Sequence, residues 1–235
     1  MDIVLNKIFV GLPQKVGVKE AANPMDREWV SGIFKEPANG PIWLSKTGLV
    51  GDGQADMKNH GGPEKAVFVY PVKHYAYWQN ELAIEQIGPS GMGENFLLEN
   101  MNEEMVAIGD TFQIGEAVVQ VSQPRQPCWK PARRYKIKDL ALLIQNTGRT
   151  GWYFRVLKEG FIESGQKLAL VDRPYPQWTI ARCNEIMHSK APKMEEVREL
   201  AQCELLAQNW RNTLKKRAET GEVPDIRKRM IGPNE

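Results

Sequence analysis

Phe112-Gln113-Ile114-Gly115-Glu116-Ala117-Val118-Val119-Gln120-Val121 carries two apolar series, Phe112 and Ile114 before a break and Ala117, Val119 and Val121 after it. Successive side chains of a strand point to opposite faces, so each series lines one face, and Gly115-Glu116 supplies a tight turn between paired strands. The stretch reads as a β-hairpin with one buried face. Working outward, the chain from Ile3 to about Val171 is cut by Gly and Pro into short segments rich in Val, Ile, Phe and Trp. Further strands are predicted at Ile3–Val10, Ile42–Leu44, Val67–Tyr70, Trp152–Leu157 and Leu168–Val171. Helical spacing predicts two insertions, His74–Leu82 and Lys138–Gln145, and Pro37-Ala38-Asn39-Gly40-Pro41 is a strong turn signal. Many short strands with few long helices favour a closed or nearly closed barrel over a doubly wound parallel sheet.

After Arg173-Pro174-Tyr175-Pro176 the texture changes, because two prolines stop the last strand and the following residues fall into helical periods. Thr179 caps a first helix with Ile180, Cys183, Ile186 and Met187 on one face. Pro192 opens a second, bearing Met194, Val197, Leu200 and Ala201. A third is predicted from near Glu204, with Leu206, Trp210 and Leu214 as its apolar stripe and Gly221 as its stop. Three short helices bury little alone. This unit is therefore expected to dock on the barrel or on a second copy of the chain, as in a homodimer. The expectation is a mainly β fold: a barrel with helical insertions over residues 1–173, then a three-helix unit with a basic tail over 174–235. The tail, Asp225-Ile226-Arg227-Lys228-Arg229-Met230, reads as a solvated terminus rather than a nucleic-acid arm.

Composition excludes several classes of function. The 235 residues are 42% hydrophobic and 26% charged, with a formal net charge of +2, which suits an ordinary globular protein and sets up no global field for nucleic acid. No apolar run is long enough to span a bilayer, and the beginning Met1-Asp2-Ile3-Val4-Leu5 lacks the basic head and apolar stretch of a signal peptide, so a cytoplasmic location is expected. Cys128, Cys183 and Cys203 are an odd number without CxxC spacing, which argues against a disulfide framework, a zinc ribbon or an iron–sulfur cluster.

The chemistry converges on Pro124-Arg125-Gln126-Pro127-Cys128-Trp129-Lys130-Pro131. Its three prolines exclude a regular helix or central strand and make a stiff loop directly after the hairpin. Arg125, Lys130, Arg133 and Arg134 crowd the thiol in sequence, and cations favour the thiolate, the form that attacks or ligates metal. Cys128 is thus the candidate reactive group, whereas Cys183 and Cys203 sit on apolar helical faces and read as core. A second cluster, Lys58-Asn59-His60-Gly61-Gly62-Pro63-Glu64-Lys65, joins adjacent glycines to His60 and Lys65, a pattern suited to a phosphate. Gly93-Glu94-Asn95 can bring Asn95 to the same place, and Arg149 and Arg155 flank a strand. Neither GxxxxGK[ST] nor GxGxxG is present, so there is no P-loop and no dinucleotide fingerprint. His74 and His188 fall on helical segments with surface or packing roles, and Trp129 reads as a core anchor before a base-stacking ring.

Together, Gly48-Leu49-Val50-Gly51-Asp52, His60-Gly61-Gly62-Pro63-Glu64-Lys65-Ala66-Val67, Gly93-Glu94-Asn95 and Pro124-Arg125-Gln126-Pro127-Cys128 resemble the MOSC family, named for the C-terminal domain of molybdenum cofactor sulfurases. Trp178-Thr179-Ile180-Ala181-Arg182 and the helices after it resemble the 3-alpha appendage of the YiiM-like branch. The resemblance implies a β-barrel, a pterin-bound molybdenum (molybdopterin) cofactor and Cys128 as metal ligand. It also implies reduction of N-hydroxylated bases such as 6-N-hydroxylaminopurine to the amine. On that footing the expected cofactor-binding residues are Gly61, Gly62, Lys65, Asn95, Arg125 and Arg155, and His60 either relays protons or contacts phosphate. With no NAD or flavin fingerprint, electrons are expected from a separate reductase. Three other readings stay open: a sulfur carrier using a Cys128 persulfide, a binding module for nucleic acid or another anionic partner, and a hydrolase pairing Cys128 with His60.

Overall fold

The computed structural model describes residues 1–223 and 225–235. Seven strands close a barrel: β1 (Ile3–Val10), β2 (Val67–Pro71), β3 (Phe96–Glu99), β4 (Thr111–Ile114), β5 (Ala117–Pro124), β6 (Trp152–Lys158) and β7 (Lys167–Asp172). The order around it is β7, β4, β5, β6, β2, β3, β1, and closure comes from β1 pairing antiparallel with β7 through Ile3 and Leu168. All neighbours are antiparallel except β2 and β3, which run parallel with Val69 opposite Phe96. The Phe112–Val121 hairpin is formed by β4 and β5, with Ala117 opposite Ile114 and Gly115 at φ +51 in the turn. Its apolar series face inward, where Phe112, Ile114, Val119 and Val121 are fully buried with Phe96, Trp152 and Phe154. Full burial of such side chains is worth about 1.5–3 kcal/mol each.

Around the barrel lie four helices, α1 (Met57–His60), α2 (Lys73–Leu82), α3 (Trp129–Tyr135) and α4 (Leu140–Asn146). The C-terminal unit contributes α5 (Ile180–His188), α6 (Met194–Gln202) and α7 (Gln208–Thr220), followed by a short α8 (Arg227–Met230). Thr179 does cap α5, its Oγ1 accepting from Arg182 N at 3.1 Å, and Gly221 ends α7 at φ +72. The unit docks on the barrel of its own chain. Cys183, Leu200, Trp210 and Leu214 join the same apolar core as the barrel interior, and Ile108 N and Ile180 N donate to Trp178 O and Val106 O, both at 2.9 Å. Arg173, at the start of the linker, is held by the buried Asp110 at 2.7 Å. No helix among the described residues is long and apolar enough to cross a membrane.

Three expectations are corrected. The third helix begins at Gln208, not near Glu204, because Leu206 turns into the core and Ala207 N donates to Ser122 O of β5 at 2.9 Å. The segment after Cys128 is helical from Trp129, since Pro131 falls in the first turn, where no intrahelical N–H is needed. The basic tail is not a solvated terminus: Met230 and Asn234 are buried and Asn234 Nδ2 donates to Trp129 O at 3.2 Å.

Candidate active site

Strand β5 ends at Pro124, and Arg125 N then donates to Gly151 O at 3.0 Å, so the cysteine segment leaves the barrel rim along the start of β6. Gly151 sits at φ +70, and a Cβ there would fall 2.2 Å from Val69 O, so only glycine lets the two strands approach this closely. Cys128 follows in extended conformation immediately before α3. From the other side, Asp56 caps α1 by accepting from Asn59 N at 3.1 Å, which sets His60 at the end of that single turn.

These two segments meet. His60 Nε2 lies 3.5 Å from Cys128 Sγ, and Lys130 Nζ lies 3.3 Å from His60 Nδ1. With a thiolate as acceptor, Nε2 carries the hydrogen that points at sulfur. Asp56 Oδ2 is 3.5 Å from the same Nδ1, within ion-pair range of a doubly protonated ring. Burial opposes ionisation of Cys128, yet the His60 hydrogen bond and the charges of His60, Arg125 and Lys130 outweigh it and bring the thiol down to about 6. Cys128 is therefore mainly thiolate at neutral pH.

The thiol edges a pocket at the barrel rim. Lys35, Lys65, Arg125 and Lys130 line it and no Asp or Glu does, while Ile33, Phe68, Met92 and Tyr153 make its apolar walls. The Arg125 guanidinium stacks 5.1 Å over the Phe68 ring, and its Nη1 is buried without a hydrogen-bond partner. Lys65 donates to Asn59 O at 2.6 Å, and burial lowers its ammonium against the pull of Asp56. Burial pushes the Tyr153 phenol up to about 12, so it remains protonated.

Of the expected site residues, the structure brings together Cys128, His60, Lys65, Asn95 and Arg125. Asn95 is already occupied: its Oδ1 accepts from Phe68 N at 3.1 Å, and its Nδ2 donates to Phe9 O at 3.2 Å and to Asp52 Oδ2 at 2.9 Å. Gly61 and Gly62 do not line the pocket; they turn the chain from α1 into the Pro63–Lys65 turn, with Gly62 at φ +93. The expectation that Arg155 shares the pocket is corrected. Its Nε donates to Glu64 Oε1 at 3.1 Å, its Nη1 to Gln120 Oε1 at 2.8 Å and its Nη2 to Leu205 O at 2.8 Å, so it fastens the C-terminal unit to the barrel.

Sequence reasoning missed Lys35. This lysine is buried and paired with Asp52, whose carboxylate also accepts from Gly11 N at 3.0 Å and Gln54 Nε2 at 3.0 Å. Burial lowers Lys35 and the Asp52 charge opposes that shift. The only available signal was Asp52 within the Gly51-Asp52-Gly53 turn; nothing local marks Lys35 as its partner.

Comparison with known proteins places this geometry. The description "MOSC domain" matches residues 56–169, and "YiiM-like, 3-alpha helix domain" matches residues 178–221. Protein YiiM of Escherichia coli (strain K12) is 36% identical over 204 residues, 86% of this chain and 91% of that one. A protein named "Reductase" from Gibberella moniliformis (strain M3125 / FGSC 7600) is 36% identical over 178 residues, 74% of this chain and 32% of that longer one. The crystal structure of YiiM from Geobacillus stearothermophilus superposes with a TM-score of 0.76 at 34% identity, covering 92% of this chain and 99% of that one. Barrel, appended helices and cysteine pocket together identify the chain as a member of the MOSC domain family, in its branch carrying the YiiM-like 3-alpha domain.

Proposed function

We propose that this protein is a molybdenum-cofactor-dependent reductase that converts N-hydroxylated bases such as 6-N-hydroxylaminopurine to the amine. The observation that carries this reading is the Cys128 sulfur, 3.5 Å from His60 Nε2 at the edge of a pocket that Lys65, Arg125 and Lys130 also line. A thiolate is a soft donor suited to molybdenum. Among the described residues no group of three or more His, Cys, Asp or Glu is disposed to hold a metal ion alone. A metal bound through Cys128 would bring its other ligands with it, as one carried by a pterin dithiolene does. The residues present fit such a group: Arg125 Nη1 is a buried donor without a partner, a condition that costs about 1–3 kcal/mol and that an anionic oxygen would relieve. Cys128, Arg125 and Lys65 would hold the cofactor. When bound, it supplies a centre that accepts and delivers two electrons.

Reducing an N-hydroxylamine takes two electrons and two protons and releases the amine and one water. His60 would hold a proton at Nε2, and Lys130, 3.3 Å from Nδ1, sets positive charge beside the ring at the rim. Ile33, Phe68 and Met92 supply apolar walls against which a base could pack. The chain carries no dinucleotide or flavin fingerprint, so the electrons come from a separate reductase. A relative named Reductase, in which the matching region is 32% of the chain, supports a redox role.

Protein made in molybdenum-replete cells is expected to contain molybdenum and pterin in equal amounts and, once reduced, to turn over 6-N-hydroxylaminopurine. A stable persulfide on Cys128 in protein free of both metal and pterin would instead favour the sulfur-carrier reading and overturn this one.

A further inference from the structure

The last residues of the chain return to the cysteine segment. Arg229 Nη1 donates to Pro127 O, and its Nη2 reaches Gln145 Oε1 of α4 at 2.8 Å. Asn234 Nδ2 donates to Trp129 O at 3.2 Å, and Arg133 Nη2 donates back to Pro233 O at 2.9 Å. The carbonyls on both sides of Cys128 are thus held by side chains from the tail. Gly232, at φ +52, lies flat against the Trp129 indole, where a Cβ would come within 2.3 Å of the ring. This tail lies beyond residues 178–221, the stretch matched by the 3-alpha domain.

We propose that the C-terminal tail is a positioning element of the active site, in which Arg229 and Asn234 clamp the Pro127 and Trp129 carbonyls and fix the Cys128 sulfur at the pocket edge. The inference rests on the reading of Cys128 as the reacting group. Neither residue lines the pocket; both act through the backbone. Prolines at 124, 127 and 131 stiffen the segment and have no N–H to donate, so beyond the Arg125 N bond to Gly151 O its backbone is tied to the tail through its carbonyls. A fork donor suits Arg229, because one guanidinium joins Pro127 to α4, which a lysine cannot do with the same geometry.

The test is the alkylation rate of Cys128 by iodoacetamide on cofactor-free, full-length protein, recorded across pH so that the high-pH plateau of each variant reports access apart from ionisation. Asn234→Ala removes one clamp without altering charge, and Gly232→Val expels the tail from Trp129. Losing one such bond is expected to speed alkylation about two- to tenfold in Asn234→Ala, and more in Gly232→Val, through easier local opening. Amide exchange in residues 125–130 should rise with it, while the thermal midpoint stays close to that of the parent and the exposed control Lys228→Ala changes nothing. Unchanged or slower alkylation in both variants would overturn the proposal, and acceleration in Gly232→Val alone would remove Asn234 from it. Since no metal is involved in this readout, it stands or falls separately from the molybdenum reading.

Discussion

His60 Nε2 donates to Cys128 Sγ across 3.5 Å, although 68 residues separate the two in the chain. The contact joins the end of α1 to the segment after β5 and, with the Arg125 and Lys130 charges, lowers the buried thiol to about 6. Replacing His60 with Ala removes its hydrogen bond and its charge and leaves burial, which raises the thiol, less opposed. The midpoint of Cys128 alkylation against pH should therefore move up from about 6 toward the ordinary value of 9.0. At pH 7 the thiolate fraction would fall from roughly nine-tenths to a few per cent or less. A profile that does not move would remove His60 from thiolate formation.

Arg125 and Arg155 should fail in different ways. Arg125→Ala deletes the buried unpartnered donor and is expected to weaken cofactor retention about ten- to a hundredfold, the worth of a charge-assisted bond. Arg155→Ala breaks the ties to Glu64, Gln120 and Leu205 and should lower stability by about 1–3 kcal/mol while leaving pterin content unchanged. Denaturant titration together with pterin assay separates the two.

The Lys35–Asp52 pair predicts a structural failure of the pocket. Asp52→Ala leaves a buried ammonium uncompensated and strips Gly11 N, Gln54 and Asn95 of their acceptor. The expected cost is about 3–5 kcal/mol. Replacing both Lys35 and Asp52 with Met and Leu should recover the part due to the uncompensated ammonium but not the part due to the stripped donors, as unfolding curves would show.

His188 gives the fold an acid limit. Burial, reinforced by the Arg229 and Arg217 charges, pushes it down to about 3. An unfolded chain binds that proton near pH 6.5 and the folded one does not, so the contribution is complete above about 6.5 and is lost as pH falls toward 3. His188→Gln should flatten the decline of the thermal midpoint between pH 6.5 and 4. A parallel decline in both proteins would assign acid sensitivity elsewhere.

What was legible in the sequence follows the range of the forces involved. β1 was read to its observed bounds, Ile3–Val10, and the β4–β5 hairpin to within a residue at its start, because alternation and turn chemistry are local signals. Cys128 and His60 were legible because prolines, glycines and cations cluster around them. Arg155 was misplaced although its partner Glu64 stood inside the same phosphate-like motif; an ion pair between distant segments leaves no periodicity. The tail was misread for a similar reason. Its composition is that of a solvated end, and what docks it is an arginine and an asparagine reaching backbone carbonyls, which any residue can supply. Lys35 was invisible because only closure of the barrel rim brings it to Asp52.

The central claim is that Cys128 supplies a thiolate to molybdenum, and the most direct measurement compares metal content and turnover of 6-N-hydroxylaminopurine in the parent and in Cys128→Ser, each supplied with cofactor and a reductase. Serine offers a harder oxygen at nearly the same size, so the fold should survive while turnover is abolished. Cys183→Ser and Cys203→Ser, at buried thiols of the helical unit, should keep full turnover with a modest loss of stability. Full turnover by Cys128→Ser with normal molybdenum content would contradict the account and move the reacting group to another residue.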